Sequence, residues 1–207
     1  MRIQRRTIIL ASRSKARRQI LLEAGLKLDV SYADIDEARL ERESVSKYAI
    51  RVALAKAKKI ADEYSLSPLW ERVGERGCSL PVVIGVDTVI ALVNKIYGKP
   101  RNRDEAKRFL RSLSGKWHKV YSGTVVIDTL RKKTLKELVV SKVKFVKLTD
   151  KEIDWYISTG EPMHAAGAYA IQGKGMALIE SVNGCLTNII GISIPVLMKM
   201  LEQLKVL

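Results

Sequence analysis

The run from Pro81 to Pro100, PVVIGVDTVIALVNKIYGKP, places one carboxylate inside an apolar strand and one lysine at the end of a hairpin. Apolar residues 82–84 lead through Gly85 to Asp87, and a second apolar run ends in a Gly-Lys-Pro corner that contains Lys99. A lone charge in a buried strand is costly to desolvate, so it usually faces a metal, a substrate or a buried partner. We interpret the segment as a hairpin that returns Lys99 towards Asp87, an arrangement suited to chemistry on phosphates.

A second candidate anion site is the basic turn ASRSKARRQIL, which follows the first apolar run. The pattern predicts a strand, then small polar residues including Ser12, then a helix N-terminus, where free N–H groups and the helix dipole attract anions. Arg17 and Arg18 fall in the first turns, where the dipole disfavours cations. They indicate either a bound anion or a solvated helix face.

Three further positions each have a functional and a structural interpretation. Glu37, with Asp34 and Asp36, belongs to an acidic loop that supplies oxygen ligands for a hard cation or is a solvated turn. Lys56 lies near the apolar stripe of a long predicted helix, where it is either a site residue or a surface lysine. Thr88 donates a hydrogen bond to a ligand or is an ordinary β-branched strand residue.

The small-residue stretch 161–175 either admits a ligand or forms a tight turn, and its Gln172 is a candidate reader of a base or ribose. His118 and His164 lack zinc-site spacing, and no Ser/His/Asp arrangement stands out. Carboxylates, lysines and arginines therefore remain as the candidate chemical groups. That set fits metal-assisted hydrolysis of a phosphoanhydride by water.

Composition sets the broad class. The 207 residues are 47% hydrophobic and 29% charged, which is ordinary for a soluble globular protein. No apolar run approaches the roughly 18 residues of a membrane span, and the apolar N-terminal residues 8–11 are too few for a signal peptide. We therefore expect a cytoplasmic protein without a membrane partner.

The net charge of +15 raises a nucleic-acid hypothesis. The basic residues are spread along the chain, however, and only 6% of residues are aromatic. We find no interleaving of aromatic and basic residues that predicts a stacking platform. Nucleic acid is therefore not the expected partner. We expect part of the excess positive charge to lie on a solvated surface and part of it to attract a small polyanion.

Hydrophobic periodicity predicts an α/β or α+β fold with a mixed sheet. Residues 65–80 break the pattern and are interpreted as a surface insertion. The predicted strands are 6–12, 27–33, the two arms of the hairpin 81–100, 117–130, 134–148 and 176–182. The predicted helices are 14–25, 46–64, 102–113, 150–159 and 188–205.

Six segments together resemble the Maf family of nucleoside triphosphate pyrophosphatases. They are LASRSKARRQILLEAG, DIDEA, ALAKAKKIA, IGVDTVIAL…YGKP, LSGKWHKVYSGTVV and EPMHAAGAYAIQGKG, in the family's order and, outside 65–80, close to its spacing. The resemblance implies a single Maf-like domain over residues 1–207. It implies an elongated α/β fold related to inosine triphosphatases, with a cleft between two lobes.

The resemblance also implies the reaction NTP + H₂O → NMP + pyrophosphate, with Mg²⁺ or another divalent metal such as Mn²⁺. Asp87 matches the family's proposed proton acceptor, and Glu37 matches an acid that binds metal or water, so both are candidate metal ligands. The cations that hold the triphosphate match Arg17, Lys56 and Lys99, and the small polar residue of the phosphate turn matches Ser12. A homodimer is expected from the family.

Substrate preference follows from motif details. Thr88 and Gln172 match family members that resemble dTTP/UTP pyrophosphatases, and the methylated-guanine branch differs at both. The usual Pro-Arg-Arg of the first motif is Lys15, Ala16 and Arg17 here, so one arginine is missing. We therefore expect dTTP and UTP, or a modified nucleotide, as substrate.

One alternative uses the same scaffold without the reaction. The usual Asp-Lys before AGAY is His164-Ala165 here, so another family cation is absent, as at Ala16. Together with the charge of +15, this favours a basic nucleic-acid-binding or regulatory protein on a degenerate enzyme scaffold.

Overall fold

The computed structural model describes residues 4–65 and 80–207, which form one mixed sheet with helices on both faces. Along the sheet the strand order is β2-β1-β3-β5-β6-β7, and β4 pairs with the far end of β3. Strand β1 runs parallel to β2 and β3, and the remaining pairs are antiparallel. The strands are β1 Ile8–Ala11, β2 Leu28–Ser31, β3 Val82–Leu92, β4 Lys95–Tyr97, β5 Trp117–Asp128, β6 Lys133–Phe145 and β7 Ile179–Asn183. The predicted mixed-sheet α/β class is confirmed.

The helices begin where the sequence offers caps. Ser14, Asn102 and Thr149 each accept a backbone N–H bond at the start of a helix, which satisfies donors that have no intrahelical partner. No described helix has both the length and the apolar character needed to cross a membrane. The helices are α1 Lys15–Glu23, α2 Val45–Ser65, α3 Arg103–Leu113, α4 Asp150–Ser158, α5 Leu186–Ile190 and α6 Ile194–Gln203.

The long strand β3 divides the core because alternate residues face opposite sides of the sheet. Val83 and Val89 face α2 and pack against its alanines. On the other face, Val86 lies in a cluster with α1 and α6, and Ile90 lies in a second cluster with α3 and α4. The two clusters meet at Thr88, so a polar position separates the two apolar halves of this face.

Two glycines allow α2 to lie unusually close to the sheet. A Cβ on Gly85 would stand 2.2 Å from the Ala53 carbonyl oxygen, and one on Gly123 would stand 2.5 Å from that of Ala49. Any side chain at either position would push the helix away from the strands. The glycines therefore set the height of α2 above β3 and β5.

Two predicted elements have a different form in the structure. The predicted helix 188–205 is wrong as a single helix, because Gly191 has φ of 144° and Pro195 lies in the first turn of α6, so the chain breaks between α5 and α6. The strand predicted over 176–182 begins later, at Ile179, after a short 3₁₀ segment over Gly173–Leu178.

The predicted surface insertion 65–80 lies almost entirely outside the described residues. The assignment of residues 1–207 to a single domain stays a prediction.

Candidate active site

The centre of the candidate site is Asp87 on β3. It points towards α2, on the same face as Gly85, and only 6% of its surface is exposed. Lys56 of α2 places its Nζ atom 2.8 Å from Asp87 Oδ1. The close approach of α2 over the glycines brings this lysine within hydrogen-bond distance of the buried carboxylate.

Lys56 also binds the acidic loop. Its Nζ atom lies 2.8 Å from Glu37 Oε1, so one ammonium group bridges two carboxylates that are 50 residues apart in sequence. The Lys56 side chain is 13% exposed, whereas that of Glu37 is 51% exposed. The site thus has a buried carboxylate, a shielded cation and an acid at its open rim.

Other residues of the acidic loop have local partners. Asp36 Oδ1 accepts the Ala38 N–H at 2.8 Å, which shapes the turn. The Asp34 carbonyl oxygen accepts a hydrogen bond from Lys59 Nζ at 2.6 Å, and within the described residues no ion pair joins the Asp34 side chain to Lys56. Glu37 is therefore the member of the acidic loop that meets Asp87 through Lys56.

The donor set is compatible with Mg²⁺ provided that a substrate supplies further oxygens. Asp87 Oδ2 is buried and has no hydrogen-bond partner, which is an incomplete arrangement for a carboxylate oxygen. Within the described residues no group of three or more His, Cys, Asp or Glu side chains could hold a metal. Mg²⁺ commonly binds one or two carboxylates together with substrate phosphates. Asp87 and Glu37 fit that pattern.

Arg17 is fixed at the carboxyl end of β1 by three acceptors. Its Nη1 donates to Ser12 Oγ at 2.9 Å and to the Val86 carbonyl at 3.3 Å, and its Nε donates to the Gly191 carbonyl at 3.0 Å. Burial lowers the pKa of Arg17 from its ordinary value, and the charges of Asp87 and Glu37 oppose that change. The guanidinium therefore stands in the same electrostatic neighbourhood as the two carboxylates.

The α1 turn organises these contacts. Ser14 caps α1 by accepting the Arg17 N–H at 3.2 Å, and Ser12 Oγ accepts the Ser14 N–H at 3.3 Å. Ala16 lies in the first turn of the same helix and is half-buried. The structure thus joins Ser12 and Arg17 beside β3, and Ala16 precedes Arg17 on α1.

Lys99 is less tightly integrated. The described pairing of β3 with β4 ends at Ile90 and Tyr97, two residues before Lys99. That Lys99 returns towards Asp87 stays a prediction. The Lys99 side chain is exposed, and no contact within the described residues joins it to the Asp87 cluster. Its role in binding a triphosphate stays a prediction.

Thr88 faces away from Asp87, because neighbouring strand residues point to opposite faces. Its hydroxyl donates to the Gly191 carbonyl at 2.8 Å and lies 2.8 Å from Ser122 Oγ. Thr88 Oγ1 and Arg17 Nε therefore share one carbonyl acceptor. Its position favours the structural interpretation of Thr88, as a support for the segment that anchors Arg17.

Gln172 lies in the Gly-rich segment on the other side of the sheet from α2. In the same segment, Gly167 donates its N–H to the Gly98 carbonyl at 3.0 Å, and a Cβ at this glycine would stand 2.7 Å from Ile90 Cδ1. Gln172 itself is exposed and makes no side-chain cap bond at the segment that follows it. No contact within the described residues joins it to Asp87, so its role in specificity stays a prediction.

Sequence reasoning missed Tyr48 and Glu161. Tyr48 precedes Lys56 by eight residues on the same face of α2 and donates its hydroxyl to the Glu37 carbonyl at 2.9 Å. Burial, with the charges of Asp87 and Glu37, raises the pKa of Tyr48 to about 12. The helical spacing 48–52–56 is the signal that could have identified Tyr48.

Glu161 accepts the N–H groups of Lys174 and Gly175 at 3.0 and 3.2 Å, and these hydrogen bonds hold the Gly-rich segment in place.

Chemically, the arrangement can hold and orient an anionic substrate and accept a proton. Arg17 has one terminal nitrogen, Nη2, without a partner among the described residues. Asp87 Oδ2 is a free acceptor in a poorly solvated position. A free guanidinium donor beside a buried carboxylate suits hydrolysis at a phosphoryl group.

Comparison with known proteins agrees with this chemistry. The family model described as Maf-like protein matches residues 7–204. The dTTP/UTP pyrophosphatase of Clostridium botulinum (strain Okra / Type B1) is 37% identical over 202 residues, covering 97% of this chain and 98% of the relative. The nucleoside triphosphate pyrophosphatase of Trichormus variabilis is 37% identical over 196 residues, covering 95% of this chain and 92% of the relative.

A solved structure is also similar at a greater distance. The nucleoside-triphosphatase / dITP/XTP pyrophosphatase of Mycobacterium abscessus has a TM-score of 0.39 and 11% identity, covering 74% of this chain and 95% of that one. This distant likeness adds nothing to the family assignment.

Proposed function

This chain belongs to the Maf-like protein family, and we propose that it is a nucleoside triphosphate pyrophosphatase that acts at the Asp87–Lys56–Glu37 cluster. The reaction breaks the bond between the α-phosphorus and the bridging oxygen of an NTP and joins water oxygen to the α-phosphorus. The products are NMP and pyrophosphate.

The site is assigned from the two contacts of Lys56 and the unpartnered carboxylate oxygen beside them. Lys56 Nζ stands 2.8 Å from both Asp87 Oδ1 and Glu37 Oε1, which leaves the buried Asp87 Oδ2 without a partner. A buried carboxylate oxygen with no donor is unfavourable unless something completes it. An attacking water or a cation brought by the substrate would supply that contact.

Each residue of the site has its own role in the proposed hydrolysis. Asp87 orients the water and accepts its proton as the new bond to phosphorus forms. Lys56 fixes the carboxylates of Asp87 and Glu37, and Arg17 donates Nη2 to a phosphate oxygen while Ser12, Val86 and Gly191 hold the rest of its guanidinium. The ammonium group of Lys99 binds the triphosphate as a further positive charge. Positive groups at fixed positions stabilise the charge that builds on the leaving pyrophosphate.

We propose Mg²⁺, or Mn²⁺ in its place, as the cofactor. Asp87 and Glu37 would hold it together with oxygens of the triphosphate. When bound, the ion supplies neutralisation of the phosphate charge.

For the substrate we propose dTTP and UTP or a modified nucleotide. The support is the dTTP/UTP pyrophosphatase activity for which the Clostridium botulinum relative is named, and the match of Thr88 and Gln172 to that branch of the family. Ala16, where the family has arginine, removes one cation from the first turn of α1. We therefore expect weaker binding of the triphosphate than in relatives that keep this arginine.

The test measures pyrophosphate and NMP released from a panel of normal and modified NTPs, with Mg²⁺, with Mn²⁺ and with EDTA. We expect turnover of dTTP or UTP that EDTA abolishes, and a loss of at least about 100-fold in kcat for Asp87→Asn. Asp29→Asn, which removes an exposed carboxylate on β2, is the matched control and should leave kcat unchanged. Absence of hydrolysis across the whole panel would reject the enzyme and favour the regulatory alternative.

The homodimer and the cytoplasmic location stay predictions. Light scattering across a range of protein concentrations measures the mass of the assembly directly and tests the dimer.

A further inference from the structure

One exposed face of the sheet combines aromatic and basic side chains. On β5, residues Trp117, Lys119 and Tyr121 alternate with the buried residues His118 and Val120, so all three point to the α2 side of the sheet. Trp117 is 45% exposed, Lys119 is exposed and Tyr121 is half-buried. The run WHKVY therefore presents an aromatic, a cation and an aromatic in a line about 14 Å long.

The neighbouring strand extends this surface. The register places Lys144 opposite Trp117, Lys142 opposite Lys119, and Val140 opposite Tyr121. Val140 is 41% exposed and Lys142 is exposed. We call this surface the β5–β6 platform, and its residues are Trp117, Lys119, Tyr121, Val140, Lys142 and Lys144.

The platform contains an unfavourable charge arrangement. Lys119 and Lys142 lie directly opposite each other, and like charges at facing strand positions destabilise a sheet. Glu180 of β7 neutralises only Lys144, whose Nζ lies 2.7 Å from its Oε1. Neither Lys119 nor Lys142 has an ion pair within the described residues. Two unneutralised lysines held face to face are an attractive site for a polyanion.

We propose that the β5–β6 platform binds single-stranded nucleic acid, with bases stacked on Trp117 and Tyr121 and phosphates paired with Lys119 and Lys142. Aromatic side chains beside a basic track are the common means of binding single strands without sequence preference. The net charge of +15 attracts the same ligand over longer distances. Two copies of the platform would repel each other, which disfavours a dimer through this face.

This site is separate from the proposed pyrophosphatase site. Asp87 lies opposite Gly123 on β5, two residues along from Tyr121, and α2 covers that part of the strand. The cluster Val45, Ala49, Val89 and Ala91, against which Tyr121 packs, lies between α2 and the sheet. The platform begins where this cover ends, so its occupation does not require the catalytic residues.

The experiment measures fluorescence anisotropy of a fluorescein-labelled 20-residue thymidine oligonucleotide, in EDTA, over a series of salt concentrations. Lys119→Thr/Lys142→Thr keeps a good strand former at both positions. It should weaken binding at least about tenfold and reduce the slope of log K against log salt by about 1.4, because each paired phosphate of a single strand contributes about 0.7. Trp117→Ala should weaken binding about fivefold or more and leave the slope unchanged.

Two controls separate this site from general charge and from the active site. Lys27→Thr/Lys151→Thr removes the same charge from exposed positions on β2's preceding loop and on α4, and should change affinity less than the platform pair. Asp87→Asn should bind the oligonucleotide like wild type, and the platform variants should keep wild-type release of pyrophosphate. Thermal unfolding checks that each variant folds.

Equal losses in the two lysine pairs, or unchanged affinity in Trp117→Ala, would overturn the proposal. A concentration-dependent dimer in light scattering that the platform variants abolish would also overturn it, by assigning the face to a second copy.

Discussion

Lys56 Nζ lies 2.8 Å from Asp87 Oδ1 and 2.8 Å from Glu37 Oε1, so a helix residue joins a buried strand carboxylate to an acidic loop. Without this ammonium group, the two acids would face each other with no cation between them. The arrangement makes Lys56 the connection between the interior and the rim of the site.

We predict that Lys56→Met lowers kcat at least about 100-fold, because Asp87 and Glu37 lose their common anchor and the phosphates lose a cation. The extra negative charge should lower the Mg²⁺ concentration needed for half-maximal rate. Lys58→Met, an exposed neighbour on the same helix, is the control. Steady-state kinetics with a magnesium titration provides the measurement, and equal behaviour of the two variants would contradict the assigned role.

The close packing of α2 leads to a second prediction. Gly85→Ala should lower the free energy of unfolding by at least about 3 kcal/mol, because its Cβ would stand 2.2 Å from the Ala53 carbonyl and 2.7 Å from Ala57 Cβ. Gly98→Ala is the control, since no atom lies within 4 Å of its added Cβ. Urea denaturation measures both. A Gly85→Ala midpoint equal to wild type would mean that α2 does not sit at this height.

Substitution of Thr88 tests whether this residue supports the segment at Gly191 or contributes to substrate specificity. Thr88→Val removes the bond to the Gly191 carbonyl and the contact with Ser122 Oγ, and should destabilise the protein by about 1–2 kcal/mol. The ratio of kcat/KM values for dTTP and GTP should stay as in wild type, because Thr88 faces away from Asp87. Thr88→Ser keeps the hydroxyl and is the control. A changed ratio with unchanged stability would assign Thr88 to specificity instead.

Because His118 is buried, we predict that the free energy of unfolding depends on pH. His118 is 2% exposed, lies 2.8 Å from the Tyr169 hydroxyl, and has its pKa lowered from 6.5 to about 4, mainly by burial. The unfolded chain therefore binds a proton in a pH range where the folded protein does not. The stabilisation is complete above pH 6.5 and is lost as pH falls towards 4, by about 3 kcal/mol.

The measurement is urea denaturation at a series of pH values. His118→Gln should flatten the dependence between pH 6.5 and 5, a range above the ordinary titration of carboxylates. An equally steep fall in the variant would show that another group is responsible.

Much of the architecture followed from local patterns. The helices predicted over 14–25 and 102–113 begin at Ser14 and Asn102, where a short polar side chain satisfies the free N–H groups. Asp87 stood out because a charge within an apolar strand needs a partner. The break at Gly191 was missed because apolar periodicity continues on both sides of it, and only the backbone angle at the glycine separates α5 from α6.

The opposite directions of Asp87 and Thr88 could also have been read from the sequence, because strand side chains alternate with a period of two. The same rule applied to WHKVY would have predicted the alignment of Trp117, Lys119 and Tyr121. The linear sequence hides this alignment, because His118 and Val120 stand between the three residues and point to the opposite face of the sheet.

By itself, the sequence determined which residues carry charge, where helices begin and which strand holds the buried acid, because these depend on neighbours within a few positions. Only the tertiary structure decided that Lys56 would bind both Asp87 and Glu37, and that Arg17 and Thr88 would share the Gly191 carbonyl. These contacts join residues 19 to 174 positions apart in sequence. They depend on how closely α2 approaches the sheet and how the chain turns after α5, which local propensities do not specify.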